Sequence, residues 1–198
     1  MKIKSARFVK SCVEPTAACE FTPQICVAGR SNCGKSTLLN LLMGARLCKT
    51  SQTPGRTRLI NVFEVNADIP FYFVDLPGYG YSKATKSEAA EWNERTDKYF
   101  RCGNDIAQTL CLMDIRRDPS DLDKALINYL RDLGLPFTVV LTKADKLSRA
   151  QAGVSVMKIA AALGLARDNL IVTSGDKGTG RDALLDRLYE ILSAHEST

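Results

Sequence analysis

Gly29-Arg30-Ser31-Asn32-Cys33-Gly34-Lys35-Ser36 satisfies G-x-x-x-x-G-K-[ST] at every fixed position. Its setting fits as well, because the apolar run Ile25-Cys26-Val27-Ala28 leads in and a helical pattern from Ser36 to Met43 leads out. Gly29 and Gly34 carry no Cβ, so the backbone can curl with its N–H groups turned inward around polyphosphate oxygens. The positive end of the following helix adds to the attraction for anions. Lys35 is then expected to reach the terminal phosphates, and the Ser36 hydroxyl to ligate Mg²⁺. A glycine turn bearing a surface lysine would need neither the strand before nor the helix after. The stretch reads as a phosphate-binding loop.

Composition suits a soluble domain around such a loop. The chain has 198 residues, 45% of them hydrophobic and 25% charged, enough for one globular unit with a proper core. No apolar run approaches the ~18 residues of a membrane span. Met1-Lys2-Ile3-Lys4-Ser5 is charged with no apolar stretch after it, so no secretory signal is expected. Seven cysteines, an odd number without C-x-x-C spacing, argue against a disulfide framework or a zinc site. Reduced thiols in a cytoplasmic protein are the expectation. A net charge of +5 permits an acidic or nucleic-acid partner without demanding one.

Residues 1–23, broken by Pro15 and Pro23, are expected to form an N-terminal strand or arm over the domain. The first strand reads from Gln24 to Ala28 and its helix from Lys35 to Met43. Lys49-Thr50-Ser51-Gln52-Thr53-Pro54-Gly55-Arg56-Thr57 is too rich in breakers to be regular and reads as a mobile loop. Arg58 to Val65 and Ile69 to Val74 read as an antiparallel hairpin turning at Asn66-Ala67-Asp68. Leu110 to Met113, Phe137 to Leu141 and Leu170 to Val172 are short apolar runs of the kind that fill a buried parallel sheet. Leu122, Leu126, Tyr129, Leu130 and Leu133 repeat at helical spacing, as do Leu184, Leu185, Leu188, Ile191 and Leu192. Trp92 and Tyr99 mark a further helix between Ser87 and Arg101. These stripes are core by default. His195 and the rest of 193–198 read as a frayed tail. The alternation predicts one doubly wound α/β domain over 1–198, with ligands at the carboxyl ends of its strands.

Three further stretches stand at predicted strand ends. Asp75-Leu76-Pro77-Gly78 places an acidic residue where it can hold the Mg²⁺ shell through water, and Gly78 offers an N–H to the γ-phosphate. Thr142-Lys143-Ala144-Asp145 places a carboxylate where it can accept both the ring N1–H and the exocyclic NH₂ of guanine. Adenine presents an acceptor at that ring nitrogen and is repelled. Lys143 can lay its methylene stem along the base. Thr173-Ser174-Gly175 can direct a backbone N–H to the guanine carbonyl. Each is weak alone, but their order and placement point to GTP rather than ATP. A hydroxyl of the 49–57 loop, from Thr57, Thr50 or Thr53, can ligate Mg²⁺ only while the γ-phosphate is present, so this loop reads as a switch.

With Thr53-Pro54-Gly55-Arg56-Thr57, Asp75-Leu76-Pro77-Gly78-Tyr79-Gly80-Tyr81, Asp114-Ile115-Arg116 and Thr142-Lys143-Ala144-Asp145-Lys146 beside the phosphate loop, the chain resembles the EngB (YihA/YsxC) family of bacterial GTP-binding proteins. This family belongs to the TrmE-Era-EngA-like group of translation-factor-class GTPases. The resemblance covers residues 5–192, and its D-L-P-G-Y-G-Y run is highly specific. It implies a Ras-like P-loop GTPase domain, with a mostly parallel sheet, one antiparallel strand and helices on both faces. It also implies Mg²⁺-dependent GTP binding, a role in large ribosomal subunit assembly, and a need for the protein in normal cell division and septation. Ser36 and Thr57 carry over as the Mg²⁺ ligands. The nucleotide residues expected are the phosphate loop with Thr37, then Gly55, Arg56, Thr57, Arg58 and Leu59, then the three strand-end stretches. Cys33, Arg117 and Gly175 depart from the usual pattern without removing a phosphate or base contact. A monomer is expected, with no DNA or membrane partner.

Ras-type proteins position the attacking water with a Gln directly after D-x-x-G, and here that residue is Tyr79. Slow intrinsic turnover is therefore expected, at or below the ~10⁻⁴ s⁻¹ of an unassisted Ras-like enzyme. Lys35, Asn32, Thr57 and Gly78 are the catalytic candidates. Either Asn32 helps to bind an activating K⁺, or a ribosomal particle orders the switches. Cys33, near a helix N-terminus and Lys35, carries the smaller expectation of a reactive thiol of lowered pKa. Arg56, Arg58, Lys83, Lys86, Arg95, Lys98, Arg101, Arg116 and Arg117, with Tyr79 and Tyr81 among them, are expected to form a face for ribosomal RNA phosphates, with affinity falling steeply with salt. The competing readings are a P-loop kinase and a nucleotide-independent RNA-binding module.

Overall fold

The strand entering the phosphate loop, β2 (Gln24–Gly29), is buried at every residue. It runs parallel between β4 (Phe71–Asp75) on one side and β5 (Ile106–Asp114) on the other. A strand covered on both faces and both edges is apolar throughout, which is why it shows no alternation. The computed structural model describes residues 1–14, 22–48, 59–80 and 86–197, with backbone alone over 86–93.

Four more strands complete the sheet, β1 (Ile3–Cys12), β3 (Ile60–Ala67), β6 (Phe137–Thr142) and β7 (Leu170–Val172), in the order β1-β3-β4-β2-β5-β6-β7. β3 is antiparallel to both of its neighbours and every other pairing is parallel, so a single strand runs against the rest. The expected arm thus includes an edge strand. The expected hairpin is present with its turn displaced. β3 continues through Asn66 and Ala67, and the reversal falls at Asp68-Ile69-Pro70. Pro70 has no N–H to give a ladder, so the turn settles there.

Helices cover both faces. Leu38, Leu39 and Leu42 of α1 (Lys35–Met43) and Leu184, Leu188 and Leu192 of α5 (Arg181–His195) enter the core on one side. Tyr99 of α2 (Lys86–Arg101), Leu126 and Leu130 of α3 (Asp121–Asp132), and Ile159 and Leu163 of α4 (Arg149–Leu163) fill the other. The tail expected to fray from residue 193 instead stays helical through His195, whose Nε2 lies 2.6 Å from Asp105 Oδ1. That contact pins the last turn of α5 to the segment entering β5. Among the described residues no helix is long and apolar enough to cross a membrane.

Candidate nucleotide site

The phosphate loop takes its curvature from two left-handed residues, Asn32 (φ 64°) and Gly34 (φ 108°). It also depends on a close approach at Gly29, where a Cβ would stand 2.6 Å from Cys33 Sγ and 2.8 Å from the Leu112 carbonyl oxygen. Lys35 and Ser36 open α1, with Thr37 behind them against Gly175. Cys33 corrects one expectation. Its thiol is buried beneath the loop, and burial pushes it up to about 11, although Lys35 pulls the other way. Loss of hydration outweighs the nearby cation, so the thiol is held protonated at neutral pH.

Asp75 ends β4 beside the loop, paired in register with Val27. It is buried, and its Oδ1 has no hydrogen-bond partner among the described residues. Burial raises its pKa, against the charge of Lys35 and a hydrogen bond from Asn61. An orphaned buried carboxylate oxygen, with the Ser36 hydroxyl at the start of α1, is donor chemistry that fits a hydrated Mg²⁺. Gly78 lies over the phosphate loop, since a Cβ there would stand 3.1 Å from Lys35 Nζ and 3.2 Å from the Ser31 nitrogen. Leu76 and Pro77 connect the two.

Tyr79, in the water-positioning place, is turned away from the lysine. Its ring is buried and its hydroxyl donates to Asp123 Oδ1 at 2.7 Å. Its N–H donates to the Gly29 carbonyl (3.3 Å), and its own carbonyl accepts from the Ser31 N–H (2.8 Å).

The base station is built by bonds back to the phosphate loop. Thr142 at the end of β6 donates its hydroxyl to the Cys33 carbonyl at 2.5 Å, and Lys143 donates to the Asn32 carbonyl at 2.6 Å. Lys143, itself left-handed (φ 61°), also lies 3.1 Å from Asp114 Oδ2. Arg116 grips Asp114 with both Nε (2.9 Å) and a terminal nitrogen (2.7 Å). Burial would raise the Asp114 carboxyl, but Arg116 and Lys143 outweigh it and hold it near 2. Asp145 receives Lys146 at 2.8 Å on one oxygen and the Ser174 hydroxyl at 2.7 Å on the other, and these bonds lower it to about 2. The Ala144 N–H donates to the Thr173 carbonyl, joining the two loops.

The structure therefore brings together the phosphate loop, 75–78, 142–145 and 173–175. Gly55, Arg56, Thr57 and Arg58, with Thr50, Thr53, Lys83 and Tyr81, lie outside the described residues, as do the side chains of Lys86 and Trp92. Leu59 is described, half-buried just before β3. Part of the basic face is neutralised by its own neighbours: Lys98 meets Glu14 at 2.5 Å and Arg101 meets Asp97 at 2.8 Å. Reading the chain without the fold missed Asp123 and underused Lys146. No local pattern points to Asp123, whereas the charge beside Asp145 was in plain view.

A family model described as 50S ribosome-binding GTPase matches residues 24–143. A probable GTP-binding protein EngB of Caldanaerobacter subterraneus is 41% identical over 192 residues, covering 96% of this chain and 97% of the relative. The chain belongs to the EngB family of GTP-binding proteins. Its Clostridium perfringens relative is 40% identical over 195 residues, covering 97% and 98% of the two chains. The fold is shared with a crystal structure of a probable EngB (TM-score 0.68, 21% identity, covering 86% and 99% of the two chains). Aquifex aeolicus Era bound to GDP·AlF₄⁻ shares it too (TM-score 0.70, 23% identity, covering 86% and 57%). This EngB-family chain is accordingly a GTPase with a Ras-like P-loop fold.

Proposed function

We propose that this chain is a Mg²⁺-dependent GTP switch whose GTP state binds the large ribosomal subunit or its precursor during assembly, with hydrolysis as the reset. The observation that carries the nucleotide reading is the pair of bonds from Thr142 and Lys143 to the phosphate-loop carbonyls of Cys33 and Asn32. They fix the base station and the phosphate station relative to one another, so that one guanine nucleotide spans both. Backbone N–H groups of residues 29–37 receive the α- and β-phosphates, Lys35 the β- and γ-phosphates, and Gly78 the γ-phosphate. Ser36 and Thr57 would hold Mg²⁺ directly and Asp75 through water, and the ion would supply positive charge against the phosphates. Asp145 accepts from both guanine donors, and the Thr173–Gly175 loop meets the base carbonyl.

Turnover is slow because the place of the water-positioning amide is occupied by a phenol already engaged with Asp123. Completion of the site falls to K⁺ held near Asn32 or to the ribosomal particle. Equal rates in K⁺ and Na⁺ would remove the first. The partner reading draws on the family model's description as a 50S ribosome-binding GTPase, and division and septation follow as consequences of ribosome supply in a cytoplasmic, monomeric protein. Sedimentation of the chain with large subunits, loaded with a non-hydrolysable GTP analogue or with GDP, tests the switch.

A further inference from the structure

Asp123 is buried in the first turn of α3, and both of its oxygens are used. Oδ2 accepts from the Ser120 N–H (2.8 Å) and the Ser120 hydroxyl (2.6 Å), and the Asp123 N–H donates back to Ser120 Oγ (3.3 Å), which closes a capping box. Oδ1 accepts from the Tyr79 hydroxyl at 2.7 Å. A cap needs only one of those oxygens. Capping boxes usually carry Glu or Gln at this place, and the shorter Asp turns its second oxygen away from its own backbone and toward Tyr79. A carboxylate removed from water is costly unless donors meet it, and this one is met by three donors at a helix N-terminus.

Among the described residues Tyr79 is held at three points: its N–H by Gly29, its carbonyl by Ser31 and its hydroxyl by Asp123. On the other side of Gly78, the Leu76 N–H donates to the Val27 carbonyl at 3.0 Å. Pro77 and Gly78 are thus a two-residue span between fixed ends. Gly80, in the left-handed region (φ 66°), is the first residue beyond the clamp.

We propose that Asp123, acting through the Tyr79 hydroxyl, is a positioning residue that holds the Gly78 N–H in place for the γ-phosphate. Asp123 touches no nucleotide. Its bond fixes the rear of the span, so that Gly78 meets the γ-phosphate without first being ordered. This rests on the assignment of Gly78 to the γ-phosphate.

The test compares affinities for GDP and for a non-hydrolysable GTP analogue by calorimetry. Tyr79→Phe removes the hydroxyl and leaves the cap intact. It is expected to weaken the analogue roughly tenfold while GDP binding stays within about twofold. Asp123→Asn, left with one acceptor oxygen for two tasks, serves as a second variant and is expected to move in the same direction. Ser120→Ala damages the cap and spares the tyrosine bond, so it should lower the melting temperature with the affinity ratio unchanged. A Tyr79→Phe ratio equal to that of the parent overturns the proposal, and so does an equal shift in Ser120→Ala. Gly78→Ala separates the underlying assignment: if it spares the analogue, the γ-phosphate reading itself fails.

Discussion

Asp145 shows how a single carboxylate is prepared for its task. Lys146 and Ser174 each hold one oxygen, and the group stays ionised down to about pH 2. Its folded value lies below the ~3.9 of an unfolded Asp, so its contribution to stability is present above pH ~4 and is lost as pH falls toward 2. GTP affinity should therefore show no titration of this group between pH 5 and 8, which affinities measured across that range will check. Asp145→Asn turns one acceptor into a donor. It should cost guanine roughly 10- to 100-fold and favour xanthine, whose C2 carbonyl accepts where guanine donates. Competition between GTP and xanthosine triphosphate reads this out, and unchanged preference would refute the base contact. Cys33 runs the other way. With its thiol pushed up to about 11, alkylation at pH 7.5 should be slow and the same with or without GDP. The glycines, Lys35 and Asp145 were legible in the sequence because phosphate and base chemistry require those residue types at strand ends. The direction of the Cys33 thiol shift was not, since it follows from the burial of its sulfur beside Gly29 in the folded chain. Nor was the Tyr79–Asp123 bond, which joins positions 44 apart that meet only in the finished fold.

Among the elements, α1 and β2 lie where their patterns place them because core burial and helical period agree. The helix α4 was missed. Its buried face, Val156, Ile159, Ala160 and Leu163, has full helical spacing, yet Gly153, Ser155 and several alanines dilute the stripe. Its ends carry the clearer signal. Ser148 accepts from the Gln151 N–H and Gln151 reaches back to Ser148, while Gly164 (φ 59°) closes the helix. Ser148→Ala should cost about 0.5–2 kcal/mol and lower the melting temperature by a few degrees, leaving GTP affinity unchanged. A calorimetric melt and a binding titration on one sample settle both halves. The displaced hairpin turn has a similar origin: Asn66 and Asp68 are both good turn residues, and only the register of β3 against β1 and β4 decides between them.

Over the whole molecule, the sheet carries the described stations of the site to the carboxyl ends of its strands, and the side chains of Thr142 and Lys143 bind the base station to the phosphate loop. The surface for a polyanionic partner is weaker than the nine basic residues of the expected face suggest, because Lys98, Arg101 and Arg116 are paired with Glu14, Asp97 and Asp114. Binding to ribosomal RNA should therefore depend on salt with a shallow slope, set by the few cations free to displace counterions. The central claim is tested most directly by sedimenting the chain with large ribosomal subunits at two salt concentrations, loaded either with a non-hydrolysable GTP analogue or with GDP. Firm co-sedimentation with the analogue and release with GDP is the result expected of the switch. Equal binding in both states would contradict it, leaving GTP recognition in place but separating the nucleotide from the output.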